Sequence, residues 1–363
     1  MKRCLAALLL IFSVRSISTA QSASSPSSLQ FAELGDFKLR NGAVIRDLHI
    51  GYRTAGNLNA ARSNAVLWPT WLGGRTEDLL PYVGPANVVD TDKYFVILVD
   101  AIGNGISSSP SNSNAQPLTT FPEFSIHDMV ESEYRLVTEK LGITHLYAVL
   151  GVSMGGMQTF AWAVTHPDFL DLAVPVLGSP QSTTYDKLLW TADIDAIELD
   201  PAWNNGVPVR PLTRGPALAA EIDAMNASTP GYRVSQTAPQ YAAGFIAQVR
   251  KNAPTDGGSA ANQIRQRQAI VSLDLPAELG VSLEETAAIV RAKMMVIVSP
   301  EDHVVNPEPA ERFAKAIGAP VVELDSLCGH MSMSCVSIGP IVAQFLDRPS
   351  SVHSQTLHEA AGR

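Results

Sequence analysis

The chain has 363 residues, 46% of them hydrophobic, and a formal net charge of −9. An acidic balance argues against nucleic acid and anionic membrane surfaces as partners. The length suffices for one large core with an added cap, and the hydrophobic share is too high for a disordered chain.

Residues 1–20 read as a secretory signal peptide. Lys2 and Arg3 precede an apolar run from Cys4 to Val14, and Ser18, Thr19 and Ala20 supply the small residues of a cleavage site. The run is too short for a permanent membrane span. Its removal takes away Lys2, Arg3 and Arg15 but no acid, moving the net charge from −9 to −12. The mature protein is therefore expected to be secreted or periplasmic, with no membrane span. Residues 21–30 follow as a polar leader.

Residues 37–39 and 43–51 are extended runs around the turn signal Arg40-Asn41-Gly42, and predict two opening antiparallel strands. Residues 64–68 (NAVLW) and 94–100 (YFVILVD) predict short buried strands, leading into loops at 69–74 and 102–110. Between 125 and 141, Ile126, Met129, Val130, Leu136 and Val137 recur at helical spacing. Strands alternating with helices predict parallel βαβ units buried on both faces. The expected fold class is α/β, a mostly parallel central sheet flanked by helices.

Residues 146–162 (LYAVLGVSMGGMQTFAW) hold the centre of the pattern. A β-type run ends in Gly151-Val152-Ser153-Met154-Gly155 and passes into a helical pattern. In a sharp strand-to-helix turn, glycines two residues before and after a serine leave room for the backbone and push the hydroxyl clear of the sheet. Ser153 is therefore the candidate nucleophile.

A further strand at 172–177 closes a first core segment, 31–180. Residues 181–290 then change character, with helical patches, Pro- and Gly-rich joints and no clear buried strand. They are expected to form a helical lid inserted between late strands. The second core segment, 291–348, carries strands at 293–299 (KMMVIVS) and 320–325 (PVVELD), a helix at 309–317 between them, and a closing helix at 337–346. Residues 349–363 read as a flexible tail.

A serine hydroxyl needs a base to take its proton, and the base needs a carboxylate to hold its tautomer. After a turn of this kind the partners follow in the order acid, then histidine. Asp302 lies just past KMMVIVS and His330 just past PVVELD. Glu301 is the second choice for the acid and Asp325 the third. Among the other histidines, His303 adjoins the acid and cannot readily fold back onto it. His166 suits a helix end, His353 and His358 fall in the tail, and His49, His127 and His145 have no acid paired with them by sequence. An oxyanion hole would take the N–H of Met154 and one from the 69–74 loop, Trp71 or Leu72, since Pro69 has none.

Cys328 and Cys335 flank His330 with six residues between them. A disulfide fixing the histidine segment and two packed reduced thiols are equally compatible with that spacing. No His/Cys/Asp cluster has metal-ligand spacing, and Gly103-Asn104-Gly105 does not complete a dinucleotide loop, so neither a metal nor a cofactor is expected.

Residues 64–180 resemble the homoserine O-acetyltransferase family of α/β-hydrolases, through GPANVVDTDKYFVI, FPEFSIHDMV and LGITHLYAVLGVSMGGMQTFAWA. The stretch from Pro201 through Ala220 is similar to the start of that family's lid, and the Asp302 and Gly329-His330 loops match its triad positions. The resemblance implies an α/β-hydrolase core, a helical lid, an acyl-serine at Ser153, a second oxyanion donor at Leu72, and a homodimer through the lid. Where that family usually has His-Ala-Leu-Thr-Gly, this chain has Thr70-Trp71-Leu72-Gly73-Gly74. The aspartate that follows the family's histidine and receives the homoserine amine is here Met331. Its lid arginine for the homoserine carboxylate aligns with Ala220, with Tyr232 and Arg233 as substitutes.

A buried zwitterion without charge partners is strongly disfavoured. An exported enzyme would also rarely meet acetyl-CoA. The expectation is a secreted serine hydrolase of esterase type, acting on a small ester or related acyl compound through an acyl-Ser153 intermediate that water deacylates. Trp71, Met331, Tyr232 and Arg233 would lie in its substrate pocket. The alternatives are an acetyl-CoA-dependent O-acetyltransferase and a non-catalytic binding protein on the same scaffold.

Overall fold

The computed structural model describes residues 26–359, so the signal-peptide reading lies outside the described residues. The chain opens with β1 (Gln30–Lys38) and β2 (Val44–Ala55), an antiparallel hairpin pairing Phe37 with Ile45. Leu39 N–H donates to Ala43 O at 2.8 Å across the turn, and Gly42 takes the left-handed φ of 88° that the Asn-Gly signal anticipates. The polar leader is already engaged at its end. Ser27 N–H donates to Thr54 O at 2.7 Å, and residue 30 is in β1.

The sheet continues with β3 (Ala65–Pro69), β4 (Phe95–Val99), β5 (Leu146–Val152), β6 (Leu170–Val176), β7 (Lys293–Met294), β8 (Val296–Val298), β9 (Val321–Asp325) and β10 (Gln355–His358). The spatial order is β1-β2-β4-β3-β5-β6-β8-β9-β10, with β7 beside β6. β2 is antiparallel to β4, and the pairings from β4 through β10 are parallel. Two expectations need correction. The strand at 293–299 is broken at Met295, whose N–H donates to Ala173 O. The tail is not free, because 355–358 add a parallel edge strand to β9. The 125–141 helix is α over Ile126–Arg135 and closes in a π turn over Leu136–Lys140.

The central strands are buried on both faces, and alternate residues go to opposite cores. In β4, Ile97 and Val99 join one cluster, while Val96 and Leu98 join the other. The first face is covered by the helices Ile126–Arg135, Met154–Thr165 and Glu308–Ile317, with Phe160 edge-on to Phe313 at 5.1 Å. Each such buried aromatic contributes roughly 2 kcal/mol of transfer free energy. The other face is covered by Gly339–Asp347 through Val342, Phe345 and Leu346.

Between β6 and β7 the described residues form helices at Thr184–Glu198, Gly215–Asn226, Pro230–Gln236, Ala242–Asn252 and Gly257–Val271, followed by the short Leu275–Leu279 and Leu283–Ala287. This region has a small core of its own, around Ile197, Trp203, Leu212 and Ile264. Asp200 organises the joint between its first two long helices by accepting four backbone N–H groups, from Ala202, Thr213, Arg214 and Gly215. Among the described residues no helix is long and apolar enough to cross a membrane.

Candidate active site

Ser153 sits between β5 and the helix Met154–Thr165 with φ 56° and ψ −121°, a strained conformation for a residue with a side chain. Its N–H is pinned to Val176 O at 2.8 Å. The flanking glycines are sterically required. A Cβ on Gly151 would stand 2.1 Å from Gly155 O, and one on Gly155 2.7 Å from Pro69 O, so the turn packs directly on the loop after β3.

The late loops bring the other two groups to this serine. His330 Nε2 is 2.8 Å from Ser153 Oγ, and His330 Nδ1 is 2.6 Å from Asp302 Oδ2. The second oxygen, Asp302 Oδ1, accepts from the N–H groups of Val304 at 2.8 Å and Val305 at 2.9 Å. A carboxylate can only accept, so Nδ1 carries the proton and Nε2 is left to accept the serine O–H. The Asp302 side chain is 1% exposed and that of His330 13% exposed, which shields the relay from bulk water. The competing assignments separate in space. Glu301 lies 4.0 Å from His303, and Asp325 pairs with His358 on the surface. His145 and His127 do have acidic neighbours, Asp171 for the first and Glu131 and Glu278 for the second, which sequence spacing could not show.

The His330 turn, Gly329–Ser334, is clamped from two sides. Cys328 and Cys335 form a disulfide across it. From the lid, Thr229 Oγ1 donates to Leu327 O at 2.7 Å, and Met331 N–H donates to Ala227 O at 3.1 Å.

Two N–H groups after β3, those of Trp71 and Leu72, have no hydrogen-bond partner among the described residues, while Gly73 N–H is held by Gln266 Oε1 at 2.8 Å. Met154 opens a helix, where the N–H has no intrahelical acceptor. Gln158 Nε2 ties the two donor segments together, bonding Thr70 O and Met154 O at 3.1 Å each.

Ser153 and His330 open into a cavity of about 320 Å³ whose walls include Trp71, Leu72, Met331 and Met333. Tyr232 and Arg233 are not among its lining residues. Arg233 instead lies over the Phe245 ring at 4.0 Å, on the lid. Ala220 is likewise absent from the walls, and among the described lining residues there is no lysine or arginine. The sequence reading missed Trp190 and Asp223, two lid residues that do line the cavity. Asp223 Oδ2 accepts from Arg267 at 2.7 Å, and the same guanidinium reaches Asp193 at 3.4 Å. Burial, then the neighbouring Asp223 charge, push the Asp193 carboxyl up to about 8 despite Arg267. Nothing in the spacing of these residues marks them, because separate lid helices bring them together.

One cluster among the described residues has donor atoms close enough to share a metal ion, Cys328 with Cys335 and Glu359, and both of its sulfurs are engaged in the disulfide.

The family profile described as alpha/beta hydrolase fold matches residues 72–334. The chain belongs to the α/β-hydrolase fold family. Within it, this α/β-hydrolase is similar to a probable esterase of Corynebacterium glutamicum, 39% identical over 178 residues, covering 48% of the chain and 51% of the relative. The chain thus spans about half the length of that esterase. It is also similar to homoserine O-acetyltransferase of Methanococcoides burtonii, 28% identical over 361 residues, covering 87% of the chain and 72% of the relative. Among solved structures, an acetylester hydrolase from Corynebacterium glutamicum superposes with a TM-score of 0.78 at 27% identity, covering 88% of this chain and 95% of that one. The resemblance to homoserine O-acetyltransferases is thus accompanied by one to esterases.

Proposed function

We propose that this α/β-hydrolase is an exported serine esterase that cleaves small esters through an acyl-Ser153 intermediate. The observation that carries the reading is the Asp302–His330–Ser153 relay opening into an apolar cavity whose described walls offer no cation. Ser153 Oγ attacks the ester carbonyl carbon while His330 Nε2 takes its proton, and Asp302 steadies the imidazolium. The oxyanion accepts hydrogen bonds from Met154 N–H and from Leu72 or Trp71 N–H. The C–O bond to the alcohol breaks as His330 returns the proton to the leaving oxygen. Water then attacks the acyl carbon with His330 as base, and the acid leaves with Ser153 restored.

The acetyltransferase reading draws support from the homoserine O-acetyltransferase relatives. Against it, a homoserine carboxylate would find no lysine or arginine among the described lining residues, and Met331 stands where the resemblance implies an aspartate beside the histidine. Export is supported by the basic, apolar and small-residue order of residues 1–20, and the Cys328–Cys335 disulfide suits an oxidising compartment.

A paired assay tests the choice. Hydrolysis of p-nitrophenyl acetate is followed beside CoA release from acetyl-CoA with homoserine, with Ser153→Ala as the blank. Ester turnover lost by at least about 10⁴-fold in Ser153→Ala is expected, with no homoserine-dependent CoA release. Homoserine-dependent release exceeding ester hydrolysis would overturn the reading.

A further inference from the structure

Outside the triad, Asp223 is the charged side chain among the described residues lining the cavity. It comes from the lid helix Gly215–Asn226, and its side chain remains 42% exposed although its partner Arg267 is 3% exposed. Arg267 holds Asp223 Oδ2 at 2.7 Å, and the Asp223 side chain remains part of the cavity lining. Beside it in the lining, Trp190 Nε1 is buried without a partner, so this wall holds unused hydrogen-bonding capacity in an otherwise apolar cavity.

The charges around Asp223 narrow what it can receive. An anionic substrate group would meet the carboxylate directly, whereas Arg267 is shut behind it. A cationic group is not called for either, because Arg267 already balances Asp223. Its guanidinium carbon also lies 5.6 Å from the centre of the Trp190 ring, so a second cation at that ring is opposed. Asp193, held neutral by burial and by Asp223, adds no further negative charge at neutral pH. What fits is a neutral hydrogen-bond donor.

We propose that Asp223 is a specificity-determining residue that accepts a hydrogen bond from a hydroxyl group on the substrate, so that hydroxylated esters are preferred over alkyl esters of the same size. This rests on the esterase reading, and the hydroxyl can be carried on either side of the ester bond. A site built to pair a hydroxyl discriminates against the analogue lacking it, because the polar group is then left unpaired.

The test compares kcat/KM within two isosteric pairs: 2-hydroxyethyl acetate against propyl acetate, and ethyl 3-hydroxypropanoate against ethyl butanoate. The first pair reports a hydroxyl on the alcohol, the second one on the acyl group. In the native protein at least one pair is expected to favour the hydroxylated member by about 10-fold. Asp223→Ala should collapse that ratio to near one, and Asp223→Asn, which keeps the volume and a weaker acceptor, should leave it intermediate. The ratio is independent of how much of a variant sample is folded. Equal turnover within both pairs, or a preference that survives Asp223→Ala, overturns the subsite while leaving the esterase reading intact. Failure to hydrolyse any of the four esters or p-nitrophenyl acetate overturns the esterase reading and the subsite with it.

Discussion

Asp302 uses both carboxylate oxygens, one on the Val304 and Val305 N–H groups and one on His330, so its rotamer and that of the imidazole are set by the same loop. Glu133, on the helix beside the turn's own helix, shows the opposite condition. Trp162 Nε1 donates to its Oε2 at 2.6 Å, but its Oε1 is buried with no partner. Burial outweighs the Trp162 bond and pushes the carboxyl up from 4.5 to about 8. The sign follows from proton binding. Between those two values the folded state holds a proton that the unfolded state has released, so the stabilisation present below 4.5 is lost as pH rises toward 8. Glu133→Gln removes this titration and keeps an acceptor for Trp162. Melting temperatures of both proteins at pH 5 and pH 8 should show the native protein losing ground to the variant at the higher pH. A difference identical at the two pH values would contradict the buried neutral carboxyl.

The element that most constrains the chemistry is the turn Gly329–Ser334, which carries His330 between the disulfide and the lid bonds from Ala227 and Thr229. Closing so short a loop limits the unfolded chain and contributes on the order of 2 kcal/mol. The double variant Cys328→Ser, Cys335→Ser is therefore expected to lose that much unfolding free energy, seen as a lower urea midpoint, and to reduce ester hydrolysis more than it reduces fluorophosphonate-accessible Ser153. An unchanged midpoint would remove the disulfide from this bracing role. Several elements were legible in the sequence because local chemistry specifies them. Asn41-Gly42 made the hairpin turn, the two-sided apolar runs made β3 to β6, and the glycines around Ser153 made the sharp turn. β10 was not legible, since QTLH is short and polar and becomes a strand only through the edge of β9. The break between β7 and β8 was hidden as well, because it falls inside one apolar run.

At the scale of the molecule, the sheet sets three loops at one end of the strands, and the lid covers them. The serine, acid and histidine could be read from sequence because each follows a recognisable strand and their chain order is fixed by the fold. The lid wall could not be read. Trp190, Asp223 and Arg267 stand on three different helices, and only packing of those helices makes them neighbours, whereas Tyr232 and Arg233, chosen by chemistry alone, pack elsewhere. Trapping the acyl-enzyme brings these parts to one decision. The native protein is mixed with p-nitrophenyl acetate, quenched in acid during turnover, digested and mapped by mass spectrometry. The expected result is one acetyl group on Ser153 in the peptide spanning the turn, and none in Ser153→Ala. Hydrolysis that proceeds with Ser153 unmodified, or with the acetyl group on another residue, would contradict a covalent esterase built on this serine.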